Sequence, residues 1–158
     1  AQEILTQTTG HIDYIVGCAS TGGTMSGIGK YIKEHSPKTS IIIADSQSSI
    51  FKQHFYQQSV DTKSFNRTMI EGAGKSYIPG CMTFEYVDDV ITVTDKEALQ
   101  TLQEAARAEG LCIGLSASLA LSASLAIIKE SNFTTPTTIV SIAADSGLKY
   151  LSKLSNKL

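Results

Sequence analysis

The sequence predicts an α/β fold: an open, mainly parallel, twisted sheet with helices on both faces. Three observations predict it. Apolar segments suited to strands alternate with segments whose apolar residues recur at helical spacing, and that alternation calls for helices layered on a sheet. The clearest strand segment, Ile41-Ile42-Ile43-Ala44, is apolar at every position, as suits a parallel strand covered on both sides. Small-residue turns follow the strand segments, and ligands of open parallel sheets bind beyond the carboxyl ends of the strands.

Each element has its own signal. Residues 1–9 carry Ile4 and Leu5 at helical spacing, and Gly10 ends that segment. The apolar run over residues 12–19 is the first strand. Met25, Ile28, Tyr31 and Ile32 give one apolar face to a helix over residues 25–35. Ser36-Pro37 stops it, because the residue before proline is pushed out of the helical region. Residues 41–45 form the second strand. Residues 46–66 start as a helix carrying Phe51, Phe55 and Tyr56, then become a polar loop. Glu71-Gly72-Ala73-Gly74 opens a second glycine-rich turn, closed by Tyr77-Ile78-Pro79-Gly80. Residues 87–93 form the third strand. Thr94-Asp95-Lys96-Glu97 spells a capping box, in which the Thr94 hydroxyl accepts from the third helical N–H and Glu97 reaches back. The helix it starts ends at Gly110. The short apolar piece Leu111-Cys112-Ile113 leads to Gly114-Leu115-Ser116, and residues 119–129 form an alanine- and leucine-rich helix expected to be buried. Pro136 precedes a fourth strand over residues 138–143. Asp145-Ser146-Gly147 then turns into an amphipathic segment with Leu148, Tyr150, Leu151 and Leu154.

Composition narrows the function. The 158 residues suffice for one α/β domain with a real core. A net charge of −2 without a basic block argues against a nucleic-acid partner. Cys18, Cys81 and Cys112 are odd in number and widely spaced, which indicates free thiols in a reducing compartment. No Cys-x-x-Cys pair exists, and His11, His35 and His54 lack ligand spacing, so no metal site is expected and the histidines are read as surface residues. No run of about 18 apolar residues is present, so no membrane partner is expected. A cytoplasmic location is expected; the terminal Asn156-Lys157-Leu158 is only a partial match to a peroxisomal Ser-Lys-Leu address.

The chemistry concentrates at Ser20-Thr21-Gly22-Gly23-Thr24. A strand that runs through glycines and hydroxyls into a helix N-terminus makes an anion site, with N–H groups pointing outward and the dipole favouring negative charge. The other reading of these five residues is an ordinary strand-to-helix turn. Three more small-residue turns, at residues 71–74, 114–116 and 145–147, fall on the same rim and favour a ligand site.

Taken in order, these motifs resemble the pyridoxal phosphate-dependent β-family of fold type II, which includes cysteine synthase and cystathionine β-synthase. Residues 20–24 are similar to that family's Gly-Thr-Gly-Gly-Thr loop, and the resemblance implies that Ser20, Thr21, Gly22, Gly23 and Thr24 cradle the cofactor phosphate. Glu71-Gly72-Ala73-Gly74 with Ile78-Pro79 resembles the segment beside the cofactor, and so places Gly72 there. Glu109-Gly110 through Gly114-Leu115-Ser116 resembles the segment whose serine bonds the pyridine nitrogen, a role implied for Ser116. A neutral serine at that atom makes the ring a weaker electron sink than an aspartate would, which suits β-elimination and replacement. Read alone, Ser116 is a small residue capping the following helix. Asp145-Ser146-Gly147 with Tyr150-Leu151-Ser152 is similar to the family's closing Pro-Asp-Ser-Gly…Tyr-Leu segment.

The resemblance implies cysteine synthase-like β-replacement on O-acetylserine or serine, with sulfide or a thiol as nucleophile. The family's Schiff-base lysine and its Ser/Thr-Ser-Gly-Asn substrate loop have no counterpart here, so no catalytic residue is assigned. Lys75, beside the second glycine turn, is read as a surface residue near the cleft. The chain is accordingly expected to be the C-terminal portion of a larger catalytic core. Its expected partners are an amino-acid substrate, a lysine-bearing N-terminal segment or chain, and further copies in a homo-oligomer. Ser20, Ser118 and Ala144 depart from the family pattern, and they motivate the alternative of a non-catalytic regulatory or partner-binding module on the same fold.

Overall fold

The computed structural model describes residues 1–57 and 68–151. Residues 58–66 of the expected polar loop, Ser152 and Leu154 of the last segment, and the terminal Asn156-Lys157-Leu158 lie outside the described residues. Four strands form the sheet: β1 (Tyr14–Cys18), β2 (Ser40–Ser46), β3 (Asp89–Val93) and β4 (Ile139–Ser141). Their order is β3-β2-β1-β4, and each pairing is parallel, with Tyr14 opposite both Ser40 and Ile139. The parallel α/β expectation therefore holds. All strands run the same way, so their carboxyl ends share one rim.

The helices are α1 (Gln2–Gln7), α2 (Gly23–His35), α3 (Phe51–Gln57), α4 (Asp95–Glu109) and α5 (Leu115–Glu130), followed by a 3-10 turn over Gly147–Tyr150. They cover both faces of the sheet. Ile15, Ile41 and Ile43 pack with Met25 and Ile32 of α2 and Phe51 of α3. Val16, Ile42 and Ala44, the alternate residues of the same strands, pack with Leu102 of α4 and Leu119, Ala123 and Ile127 of α5. This is why the strands read as continuous apolar runs: both side-chain directions are buried.

The expected burial of α5 is observed, and its serines are the reason it is tolerated. Ser118, Ser122 and Ser124 donate to the carbonyls of Leu115, Ser118 and Ala120 within the same helix, which removes the desolvation cost of their hydroxyls. The α4 capping box is present as read: Glu97 N–H donates to Thr94 Oγ1 at 3.2 Å, and Thr94 N–H to Glu97 Oε2 at 2.8 Å.

Two helix starts differ from expectation. α2 begins at Gly23 rather than Met25, and α5 at Leu115 rather than Leu119. Small residues dominate both first turns, Gly23-Thr24 in α2 and Ser116-Ala117-Ser118 after Leu115 in α5, and they carry little apolar spacing. The third and fourth strands are also shorter than expected; before the third, Asp88 is occupied otherwise, its carboxylate accepting from Ile41 N–H at 2.6 Å and pairing with Lys33. Leu111-Cys112-Ile113 forms no strand and makes one antiparallel bridge, Ile113 to Ser146. His54 is not a surface residue as expected. Its ring packs against Phe84 at 5.2 Å.

Asp45 is fully buried at the carboxyl end of β2. Its Oδ2 accepts from Lys52 N–H at 3.1 Å, while Oδ1 has no partner within hydrogen-bond reach. Burial pushes its carboxyl from 3.8 up to about 6, against the smaller opposing effects of Ser49, Lys52 and Ser46. A carboxyl that ionises less readily folded than unfolded contributes stability that is complete below about pH 4. That contribution is lost as pH rises through about 6. Asp45→Asn cannot ionise, so its stability relative to the native chain is expected to rise between pH 4 and 7, by up to about 3 kcal/mol. Urea unfolding at several pH values measures the difference, and a difference flat with pH would contradict this origin.

Candidate functional site

β1 ends at Cys18 and the chain turns through residues 19–22 into α2. The Ala19 carbonyl accepts from Gly74 N–H at 2.8 Å, so the first glycine turn is tied to the second. Gly22 is the N-cap of α2 with φ of 87°, a conformation that side-chain-bearing residues rarely adopt. A Cβ there would also lie 2.5–2.7 Å from Met82. The first helical bond of α2 runs from Ser26 N–H to the Gly22 carbonyl at 2.9 Å. The N–H groups of Gly23, Thr24 and Met25 precede that bond and are the ones a helix cannot satisfy itself. Among the described residues no side chain caps them, and the first turn carries no acid. Thr24 and Met25 line a cleft.

The cleft has a volume of about 190 Å³. Ser20, Thr21, Gly22, Thr24, Gly72 and Ser116 line it, together with Cys18 and Ala144. Six of the seven sequence-assigned residues are thus brought together on one wall. Gly23 is the exception, lying in the first turn of α2 outside the lining. A larger groove of about 370 Å³ lies among β3, α4 and α5, but Glu97, Glu104 and Glu130 against a single Lys129 make its wall acidic and unsuited to an anion.

Ser116 sits in the first turn of α5, after the N-cap Gly114, so it does not cap that helix as its own sequence context suggested. The cap comes from elsewhere. Asp145 Oδ1 accepts from Ala117 N–H at 2.9 Å, and Oδ2 from Ser116 N–H at 3.3 Å. The Tyr150 hydroxyl donates to Asp145 Oδ2 at 2.8 Å. Burial, then this bond to the Asp145 carboxylate, hold the Tyr150 phenol well above its ordinary range. On the other side, the Cys18 thiol donates to the Ser116 carbonyl at 2.9 Å. Burial pushes that thiol up to about 12, with the charge of Asp145 adding to the effect, so it remains a neutral donor.

The departures from the family pattern find places here. Ser20 and Ala144 line the cleft, whereas Ser118 is fully buried and spends its hydroxyl on the Leu115 carbonyl. Lys75 contributes backbone rather than side chain: its carbonyl accepts from Ile50 N–H and its N–H donates to Ser49 Oγ. The pairing of Lys149 with Glu71, at 3.3 Å across the two later turns, had no sequence signal. Nor did the capping role of Asp145, which acts across 28 residues.

Residues 1–145 match the family described as "Pyridoxal-phosphate dependent enzyme". The chain is 32% identical over 153 residues to a cysteine synthase of Buchnera aphidicola, covering 95% of this chain and 47% of that protein. It is 39% identical over 130 residues to a cystathionine beta-synthase of Apis mellifera, covering 82% of this chain and 25% of that one. The crystal structure of a hydrogen sulfide-producing enzyme from Fusobacterium nucleatum superposes with a TM-score of 0.82 at 28% identity, over 95% of this chain and 48% of that one. The chain spans half or less of the length of these relatives.

Gly114 offers a direct check of the remote cap. A Cβ there would lie 2.2–2.5 Å from the Asp145 carboxylate, so Gly114→Ala must displace the cap and is expected to cost about 1–3 kcal/mol. Gly23→Ala meets nothing within 4 Å and is expected to be neutral or stabilising by up to about 1 kcal/mol. Urea unfolding of both variants measures the contrast, and equal effects would contradict it.

Proposed function

Because the chain belongs to the pyridoxal-phosphate dependent enzyme family, we propose that it is the C-terminal, cofactor-binding part of a cysteine synthase-like catalytic core. One observation carries this reading: the open N-terminus of α2, reached from β1 through the glycines and hydroxyls of residues 20–24, borders the cleft that Ser116 also lines. The N–H groups of Gly23 and Thr24 and the hydroxyls of Ser20, Thr21 and Thr24 would hold the phosphate, since hydroxyls and amides supply most of an anion's affinity at such a turn. Gly72, with φ of 85° and no side chain, leaves its flank of the cleft clear. Ser116 would meet the pyridine nitrogen with a neutral hydroxyl. When bound, the cofactor supplies the electron sink for loss and replacement of the β-substituent of O-acetylserine or serine by sulfide or a thiol.

No residue of this chain is assigned a proton-transfer or nucleophilic step. The lysine would come from an N-terminal segment or a second chain, and that part would supply the facing wall. The cleft volume of about 190 Å³ supports a shared site, being below the roughly 300–1,000 Å³ of a complete small-molecule pocket. A homo-oligomer in the cytoplasm completes the proposal.

The test uses the longer protein that carries this chain. It is expected to take up pyridoxal phosphate and show a visible absorption band that shifts on adding O-acetylserine. A protein that stays colourless would favour the non-catalytic alternative. Thr24→Ala is expected to weaken cofactor affinity about tenfold or more, as loss of a hydrogen bond to a charged group does. Unchanged affinity would remove the phosphate role from this turn. The 158 residues alone are expected to form no cysteine from O-acetylserine and sulfide, and turnover by them would refute the shared site.

A further inference from the structure

Ser116 is gripped through its backbone on both sides. Asp145 accepts from its N–H at 3.3 Å and from the next N–H, of Ala117, at 2.9 Å. The Cys18 thiol donates to its carbonyl at 2.9 Å. The carboxylate is fixed in turn by the hydroxyl of Tyr150, a residue 1% exposed. Gly114, at the N-cap position, has no side chain with which to cap, and Asp145 fills the space its Cβ would need. The second and third N–H groups of a helix are those an N-cap side chain would satisfy. Asp145 takes both at once from a distant turn, which fixes the roll of α5 as well as its end.

We propose that Asp145 and Tyr150 are positioning residues that set where Ser116 presents its hydroxyl, an inference that rests on the assignment of Ser116 to the ring nitrogen. Two features favour this over simple helix capping. Capping needs one acceptor oxygen on a residue beside the helix, as Thr94 supplies for α4, whereas here a carboxylate braced by a buried phenol and a thiol hold the backbone of Ser116 from two sides. All three also bond through the backbone of Ser116 and Ala117 or through each other, leaving the Ser116 side chain on the cleft wall. Spreading the charge of Asp145 over three donors additionally keeps the ring end of the cleft from becoming a second anion or cation site.

The test uses the intact protein, with and without pyridoxal phosphate. In the cofactor-free protein, Asp145→Ala is expected to speed amide exchange at Ser116 and Ala117 about tenfold, the scale of a lost cap. In the loaded protein, it is expected to shift the visible absorption in the same direction as Ser116→Ala. The phosphorus-31 resonance, which reports the α2 end, should stay in place. Asp145→Asn retains an acceptor oxygen and should restore most of the spectrum, and Tyr150→Phe should reproduce a fraction of the shift. The Asp145→Ala/Ser116→Ala double variant should shift no further than Ser116→Ala alone, because residues acting through one contact are non-additive. A spectrum unmoved by Asp145→Ala, or additive shifts in the double variant, would overturn the positioning role. A spectrum unmoved by Ser116→Ala would instead overturn the assignment of Ser116, and the inference with it. If Asp145→Ala fails to fold, Tyr150→Phe decides: unchanged exchange and an unchanged spectrum refute the proposal.

Discussion

The burial of α5 is the constraint on which the rest of the structure depends. This helix packs against all four strands and against α4, so it holds the sheet in register on one face and sets where the cleft wall stands. Its sequence suits the task. Alanine and serine keep its diameter small and let it approach β1 closely, while Leu115, Leu119 and Ile127 fill the space above Val16 and Ile42. Each fully buried leucine or isoleucine contributes roughly 1.5–3 kcal/mol. Ser118 and Ser124 cost little because their hydroxyls are satisfied on the helix itself. A helix packed so fully cannot slide to adjust Ser116, so its end has to be placed by something outside it.

Parallel topology then turns a local arrangement into a site. With β1 flanked by β2 and β4, all in one direction, the turns leaving the sheet emerge on one rim. The Gly74 to Ala19 hydrogen bond joins two of them, and the Asp145 bonds join the other two. Residues from positions 20, 72, 116 and 144 therefore meet around one cleft, although nothing local in the chain brings them together.

What was legible in the sequence follows the range of each interaction. The Thr94–Glu97 capping box acts across three residues and could be read directly, as could the apolar runs of the strands. The residues proposed for the site are picked out by their residue types: glycine at 22, where φ is 87°, and small residues at 72 and 116. The starts of α2 and α5 were misplaced because glycine and serine carry no hydrophobic period, and the start of α5 is fixed by Asp145 far along the chain. His54 was taken for a surface residue because its partner, Phe84, comes from a distant turn. The buried state of Asp45 was hidden for the same reason: a charged residue ending a strand normally reaches solvent, and only the packing of α3 over it prevents that.

Three of the helices that start on this rim, α2, α4 and α5, differ in how their first N–H groups are satisfied, and the difference bears on chemistry. α4 closes its own end with Thr94 and Glu97. α5 has its end closed by Asp145, whose charge is shared among two backbone donors and the Tyr150 hydroxyl. α2 alone among them starts with glycine, without an acid in its first turn or a side-chain cap. The cleft that residues of α2 and α5 both line thus meets two unlike helix starts: one with uncapped N–H groups and the positive end of a dipole, the other with its dipole already neutralised. A ligand carrying a phosphate on one side and an uncharged ring nitrogen on the other matches that asymmetry. If Asp145 were absent, α5 would present a second positive terminus at Ser116 itself, and the cleft would lose the distinction between the two helix starts. The carboxylate that fixes Ser116 in place is also what keeps the two helix starts chemically different.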